Sequence, residues 1–186
     1  MDLLGIRAIV FILLIWNPMF PPPKPPFPPK PVSVLMGGFK PLPITGSISV
    51  GNEIIPARPN EATLYESALH LGTVGVLAHN SLAGQTFATL KPRSSFSLLN
   101  ENGQRVPYAV SEIKRYQALT PTSPYSSFLD LDTGKKYTSQ ELTTIMYKSG
   151  NPAVLQTCIE KDGDLNWGRL FIVAKPLEIR KEYQIE

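Results

Sequence analysis

From residue 44 onward the chain alternates short apolar runs with turn residues. Ile48 and Val50 alternate with Ser47 and Ser49, and residues 73–78 (TVGVLA), 96–99, 106–119, 153–159 and 169–174 have the length and composition of strands. Two helices are expected between them. Asn60 is placed to cap EATLYESALHL, and Thr138 with Glu141 forms a capping box for SQELTTIMYK, which ends at Gly150. Many short strands, two small helices, no regular strand–helix alternation and no internal repeat point to a mainly β domain, a barrel or a sandwich. They point away from a parallel α/β sheet.

The beginning of the chain has a different texture. Residues 8–16 (AIVFILLIW) are apolar throughout and follow Arg7. That is the length of a signal-peptide core and short of the roughly 20 residues a free-standing membrane span needs. No A-x-A-like cleavage site follows, so a removed signal peptide and a retained signal anchor both fit. Residues 21–31 (PPPKPPFPPKP) come next. Proline fixes φ and lacks an amide hydrogen, so this run is expected to be an extended spacer of about 3 Å per residue. The expected division is a signal peptide or anchor over 1–20, a Pro-rich linker over 21–43, one globular domain over 44–180 and a tail over 181–186. Apolar plug, stiff spacer and domain in that order describe a protein held outside a membrane.

Composition narrows the chemistry. With 186 residues there is room for one domain with a core. The net charge of +3 and the pI near 9.0 come from basic residues spread along the chain without a run, which gives no reason to expect a nucleic-acid partner. Cys158 is the single cysteine, so an intramolecular disulfide and a cysteine metal cluster are excluded. A lone cysteine in AVLQTCI is by default a small buried hydrophobe. It becomes a nucleophile only with a base and an anion-stabilising group beside it. His79 ends TVGVLAHN and Arg169 opens GRLFIVA, while Asp162, Gly163 and Asp164 between Cys158 and Arg169 signal a turn. The two flanking strands are therefore expected to form a hairpin that brings Cys158 and Arg169 to neighbouring strand ends. Glu160, Asp162 and Asp164 match no EF-hand spacing and are read as a solvated turn; no metal or cofactor is implied. His70, on the first expected helix, is read as structural.

VLQTC followed by WGR resembles the signature of the sortases, whose thiol-bearing strand typically carries Thr-Leu-x-Thr-Cys and whose next strand begins with an arginine. LAHNSLAGQTFATL resembles the family's histidine segment, and NGQRVPYAVSEIKRYQAL its following hairpin and long strand. Val154 stands where threonine is usual, and Ala78 where glycine is common. The resemblance covers residues 44–176. It implies a closed, mostly antiparallel barrel of about eight strands and a cysteine transpeptidase. Cys158 would attack the threonine carbonyl of a sorting signal, His79 would move protons to and from amines, and Arg169 would hold the substrate backbone or the oxyanion. Thr157, Asn166 and Trp167 are candidate substrate-binding residues, Thr157 facing away from Cys158 along the strand. The implied partners are a peptide sorting signal and an amine acceptor, a cell-wall precursor or a pilin lysine, at a bacterial cell surface, with the membrane reached through the N-terminal segment.

Two other functional classes remain open at this stage: a secreted cysteine hydrolase with the same residues, and a catalytically idle envelope barrel. Residues 42–46 spell LPITG, the pattern that sortases cut between Thr and Gly. Here the whole domain follows the motif, whereas a sorting signal lies near a C-terminus. Two readings are left for the string: a coincidence, with Thr45 starting the first barrel strand, which is preferred, and a tethered pseudo-substrate that visits the cleft of its own or a neighbouring molecule.

Overall fold

A computed structural model describes residues 28–49, 58–123, 125–147 and 152–178. The apolar run at 8–16, the spacer up to residue 27 and the tail at 181–186 lie outside these residues. Among the described residues no helix is long and apolar enough to cross a membrane.

Ten strands form one sheet that closes on itself. They are β1 (Pro31–Met36), β2 (Leu42–Ile48), β3 (Ala62–Tyr65), β4 (Val74–Leu77), β5 (Ser95–Asn100), β6 (Arg105–Ala118), β7 (Phe128–Asp130), β8 (Lys136–Tyr137), β9 (Ala153–Lys161) and β10 (Asp164–Pro176). The order β10-β9-β4-β3-β2-β1-β5-β6 returns to β10 through the β6–β10 pairing, giving an eight-stranded barrel with β7 and β8 attached to the end of β6. Pairs β2–β3 and β4–β9 are parallel and the other neighbours antiparallel. Three helices lie among the described residues: α1 (Glu66–His70), α2 (Gly84–Ala88) and α3 (Ser139–Tyr147).

Period-two alternation sends residues of each strand to two separate apolar clusters. Val34, Leu98, Leu155 and Ile172 fill the barrel interior, and Phe87 of α2 joins them from one end. On the outer wall Tyr116, Val154, Phe171 and Val173 pack under α3 and β7, against Phe128, Leu142, Met146 and Tyr147. A nine-residue helix is marginal alone in water. Burial of Leu142 and Met146, worth roughly 1.5–3 kcal/mol each as an upper estimate, holds α3 on the wall. The expected capping box is present: Thr138 N donates to Glu141 Oε2 at 2.7 Å and Glu141 N to Thr138 Oγ1 at 3.2 Å.

Three expectations need correction. The helix placed over EATLYESALHL is half strand: ATLY forms β3, paired with β2 and β4, and only Glu66–His70 is helical. Helix propensities differ by no more than about 0.7 kcal/mol per ordinary residue. Full burial of Leu64 with both strand edges paired outweighs that. A third helix, α2, is too short to carry a periodic signal. The segment expected to be linker contains β1 and the start of β2. Val34 and Met36 of β1 enter the interior, and Ser33 Oγ donates to Leu42 O at 3.1 Å.

LPITG thus lies inside β2, three residues ahead of the expected strand start. Leu42 pairs with Val34 on one side, and Gly46 with Thr63 on the other. The Thr45 hydroxyl donates to Glu61. A shortened chain beginning at Ser47 lacks β1 and most of β2, so its thermal melt followed by circular dichroism should show no cooperative transition. A sharp transition like that of the full chain would contradict the place of these strands in the barrel.

Candidate functional site

The hairpin read from Asp162 and Gly163 is present: β9 and β10 are joined by these two residues, both at positive φ (54° and 86°), as a type I′ turn requires. Its ladder puts Arg169 directly opposite Cys158. The register shifts between Asp164 and Gly168, and the extra residues of this bulge carry Asn166 back toward the thiol. Cys158 Sγ donates weakly to Asn166 Oδ1 at 3.9 Å. Arg169 Nη1 donates to Asn166 O at 3.1 Å and to Gly168 O at 3.0 Å, and the guanidinium lies 5.8 Å from the centre of the Phe128 ring. Two carbonyls and an aromatic face therefore fix the cation beside the sulfur.

His79 reaches the same place from the other side. β4 runs parallel to β9 with Leu77 level with Gln156, and Ala78 N donates to Gln156 O at 3.1 Å. Counting on along both chains brings His79 level with Cys158. The His79 carbonyl accepts from Leu82 N at 3.0 Å and Gly84 N at 2.8 Å, which locks the backbone just past the strand. Arg169 on β10, Cys158 on β9 and His79, two residues past the end of β4, so form a row. All three line one cleft of about 360 Å³ on the outer barrel wall, with Leu77, Gln156 and Phe171 in its floor and Phe128, Leu142 and Tyr147 on the β7 and α3 side.

The other sequence candidates separate. Asn166 is in the cleft beside the thiol. Thr157 borders the cleft, but its hydroxyl is buried on the inner side of β9 without a hydrogen-bond partner. It presses on α2 at Gly84, where a Cβ would come within 2.2 Å of Thr157 Oγ1 and 2.6 Å of the His79 carbonyl. Only glycine lets this turn approach so closely. Trp167 does not line the cleft; the Lys161 ammonium sits over its ring at 4.9 Å. Sequence reasoning missed Gln156 and Tyr147, whose hydroxyl donates to the Gln156 side-chain carbonyl. Gln156 was reachable, since it lies two residues before Cys158 and shares its face. Nothing local placed the α3 helix over that face.

The thiol is half-buried, and burial raises its pKa above the ordinary thiol value. Arg169 pulls it down and Asp164 pushes it up, but burial has the largest effect. The resting group at neutral pH is therefore mostly thiol. Alkylation of Cys158 by iodoacetamide should rise with pH toward a midpoint above the ordinary thiol value. Replacing Asp164→Asn removes an influence that favours the neutral form and should move that midpoint down, whereas Arg169→Gln removes the one that favours thiolate and should move it up. Midpoints that stay put or move the opposite way would contradict this balance of charges.

No protein-family model matches the sequence, and no curated protein matches it. Solved structures do resemble it. Sortase C1 from Streptococcus suis superposes with a TM-score of 0.51 at 14% identity, over 83% of this chain and 76% of that one. Sortase A from Corynebacterium diphtheriae does so with a TM-score of 0.53 at 14% identity, over 84% of this chain and 64% of that one. At such identity the likeness concerns the path of the backbone. The chain has the sortase fold.

Proposed function

We propose that this protein is a cysteine transpeptidase of the sortase type, which cleaves a peptide sorting signal through a thioester on Cys158 and passes the acyl group to an amine. The observation that carries this reading is the row of a single thiol, an imidazole and a guanidinium in one cleft. The VLQTC and WGR segments, set on the sortase fold, support it.

The steps follow from what each group can do. Cys158 loses its proton to His79 and its sulfur attacks the carbonyl carbon of the donor peptide. Arg169 donates to the oxygen on which negative charge gathers, already oriented by its bonds to Asn166 O and Gly168 O. Such a donor is worth about 3–4 kcal/mol in the transition state. As the C–N bond breaks, His79 gives its proton to the departing amine, leaving the acyl group on sulfur. An incoming amine then attacks the thioester, the C–S bond breaks, and the amine's proton returns through His79 to the thiol. The thioester keeps the acyl group activated, so an amine can collect it and water acts as the slower competitor. The proposed setting is the outer side of a bacterial membrane, with the N-terminal apolar segment as signal peptide or anchor. The donor is a surface protein's sorting signal, and the acceptor a cell-wall precursor or pilin lysine.

Cleavage of a fluorogenic Leu-Pro-x-Thr-Gly peptide series tests the assignment. Cys158→Ala should abolish cleavage while keeping the far-ultraviolet dichroism of the parent chain. Arg169→Lys keeps the charge but loses the planar fork, so kcat/KM should fall by roughly 10²-fold or more. Cleavage retained by Cys158→Ala, or wild-type kinetics in Arg169→Lys, would overturn the roles given to these residues.

A further inference from the structure

A second cavity opens beside the same cysteine. It measures about 550 Å³ and lies between α2, the segment after His79 and the β9–β10 hairpin, with Asn80, Ser81, Gln85, Glu160 and Leu165 around it. Among the described residues, Cys158 is the one that borders both this cavity and the cleft. Its origin is topological. The β4–β9 ladder stops at Leu77 and Gln156, followed only by the bond from Ala78 N to Gln156 O. The chain after His79 then turns into α2 instead of continuing beside residues 158–160. Asn80 Nδ2 donates to Leu165 O at 2.9 Å and ties that turn to the bulged start of β10.

The two cavities differ in chemistry. Aromatic rings stand on the β7 and α3 side of the cleft, whereas the second cavity has no aromatic lining: Ala88, Ile159, Leu165 and Leu170 give it aliphatic walls suited to an alkyl stem, and Asn80, Ser81, Gln85 and Glu160 add polar groups. Glu160 stands two residues beyond Cys158 on the same face of β9, roughly 7 Å along the strand. The other charged residue of this cavity, Arg115 of β6, pairs with Leu170 of β10, so its backbone lies two strand spacings or roughly 10 Å from β9. Glu160 is therefore the charged residue of this cavity that shares the thiol's own strand.

Resting on the transpeptidase reading, we propose that this second cavity is the acceptor site, where Glu160 draws in the primary ammonium of the incoming amine. An acyl group that stays bound in the cleft leaves the opposite side of the thioester for the amine. The attacking amine also retraces the path of the departing one and gives its proton to His79, which lines the cleft and leads directly into the wall of this cavity. Asn80 and Ser81, directly after His79, border this cavity. The ammonium releases one proton to solvent and the neutral amine attacks the thioester carbon. A C–N bond forms as the C–S bond breaks, and the second amine proton passes through His79 to the Cys158 sulfur.

The experiment reads how one acyl-enzyme divides between aminolysis and hydrolysis. The full chain is supplied with a Leu-Pro-x-Thr-Gly donor peptide and sub-saturating Nα-acetyl-lysine amide, and the two products are separated by chromatography. Glu160→Gln should lower the ratio of amide to hydrolysis product about fivefold, the weight of one exposed ion pair. Ser81→Trp, which fills the cavity, should lower it further. Hydroxylamine, small and uncharged at neutral pH, should keep its ratio in Glu160→Gln. An unchanged lysine ratio in both variants, or an equal fall for lysine and hydroxylamine in Glu160→Gln, overturns the assignment. Failure of the unaltered chain to cleave any donor peptide instead overturns the transpeptidase reading, and the acceptor site with it.

Discussion

Closure of the sheet, β10 against β6, is the constraint on which the site depends. Nothing wider than a hydrogen fits at Gly168, because a Cβ there would lie 2.5 Å from the Tyr116 carbonyl. With that approach allowed, Gly168 pairs with Gln117 and Ile159, and the next residue, Arg169, falls between Tyr116 and Cys158. The position of the guanidinium follows from the ladder on both sides of its strand. A side chain on a free edge would hold the same charge with far less definition.

The strand that carries the thiol belongs to both apolar clusters. Leu155 faces the barrel interior with Ala153, while Val154 faces the outer wall. Continuing the alternation, the Thr157 hydroxyl meets α2, and Cys158 meets the cleft. Residues that pack the core thus fix the position of the thiol. The α3 helix extends this coupling across the cleft. Thr73 Oγ1 donates to the Tyr147 carbonyl at 2.8 Å, and Tyr147 OH reaches Gln156, two residues ahead of the thiol. The Tyr147 ring also meets Phe171 edge to face, with centroids 6.4 Å apart.

Local signals were legible where they depend on a few neighbouring residues. The Thr138–Glu141 capping box, the Asp162-Gly163 turn and the strand alternation of β6, β9 and β10 could be read directly, and with them the pairing of Cys158 with Arg169. Elements whose state is decided by distant partners could not. ATLY reads as helix in isolation and becomes β3 because β2 and β4 flank it. VSVLM has a strand's apolar character, but the prolines before it favoured a spacer reading until β5 and β2 are seen on either side of it. Trp167 looked like a groove residue from its place before Arg169. The bulge instead turns its neighbour Asn166 toward the sulfur and leaves the indole under Lys161. Likewise, no short-range pattern shows that α3 lies over the face that carries Gln156 and Cys158.

The central claim is that acyl transfer passes through the Cys158 sulfur. Intact-mass spectrometry of the full chain, acid-quenched during turnover of a Leu-Pro-x-Thr-Gly peptide, measures this most directly. The account expects an added mass equal to the peptide through its threonine, less one water, mapped by digestion to Cys158 and released by hydroxylamine. Turnover with no adduct, or an adduct on any other residue, would contradict it.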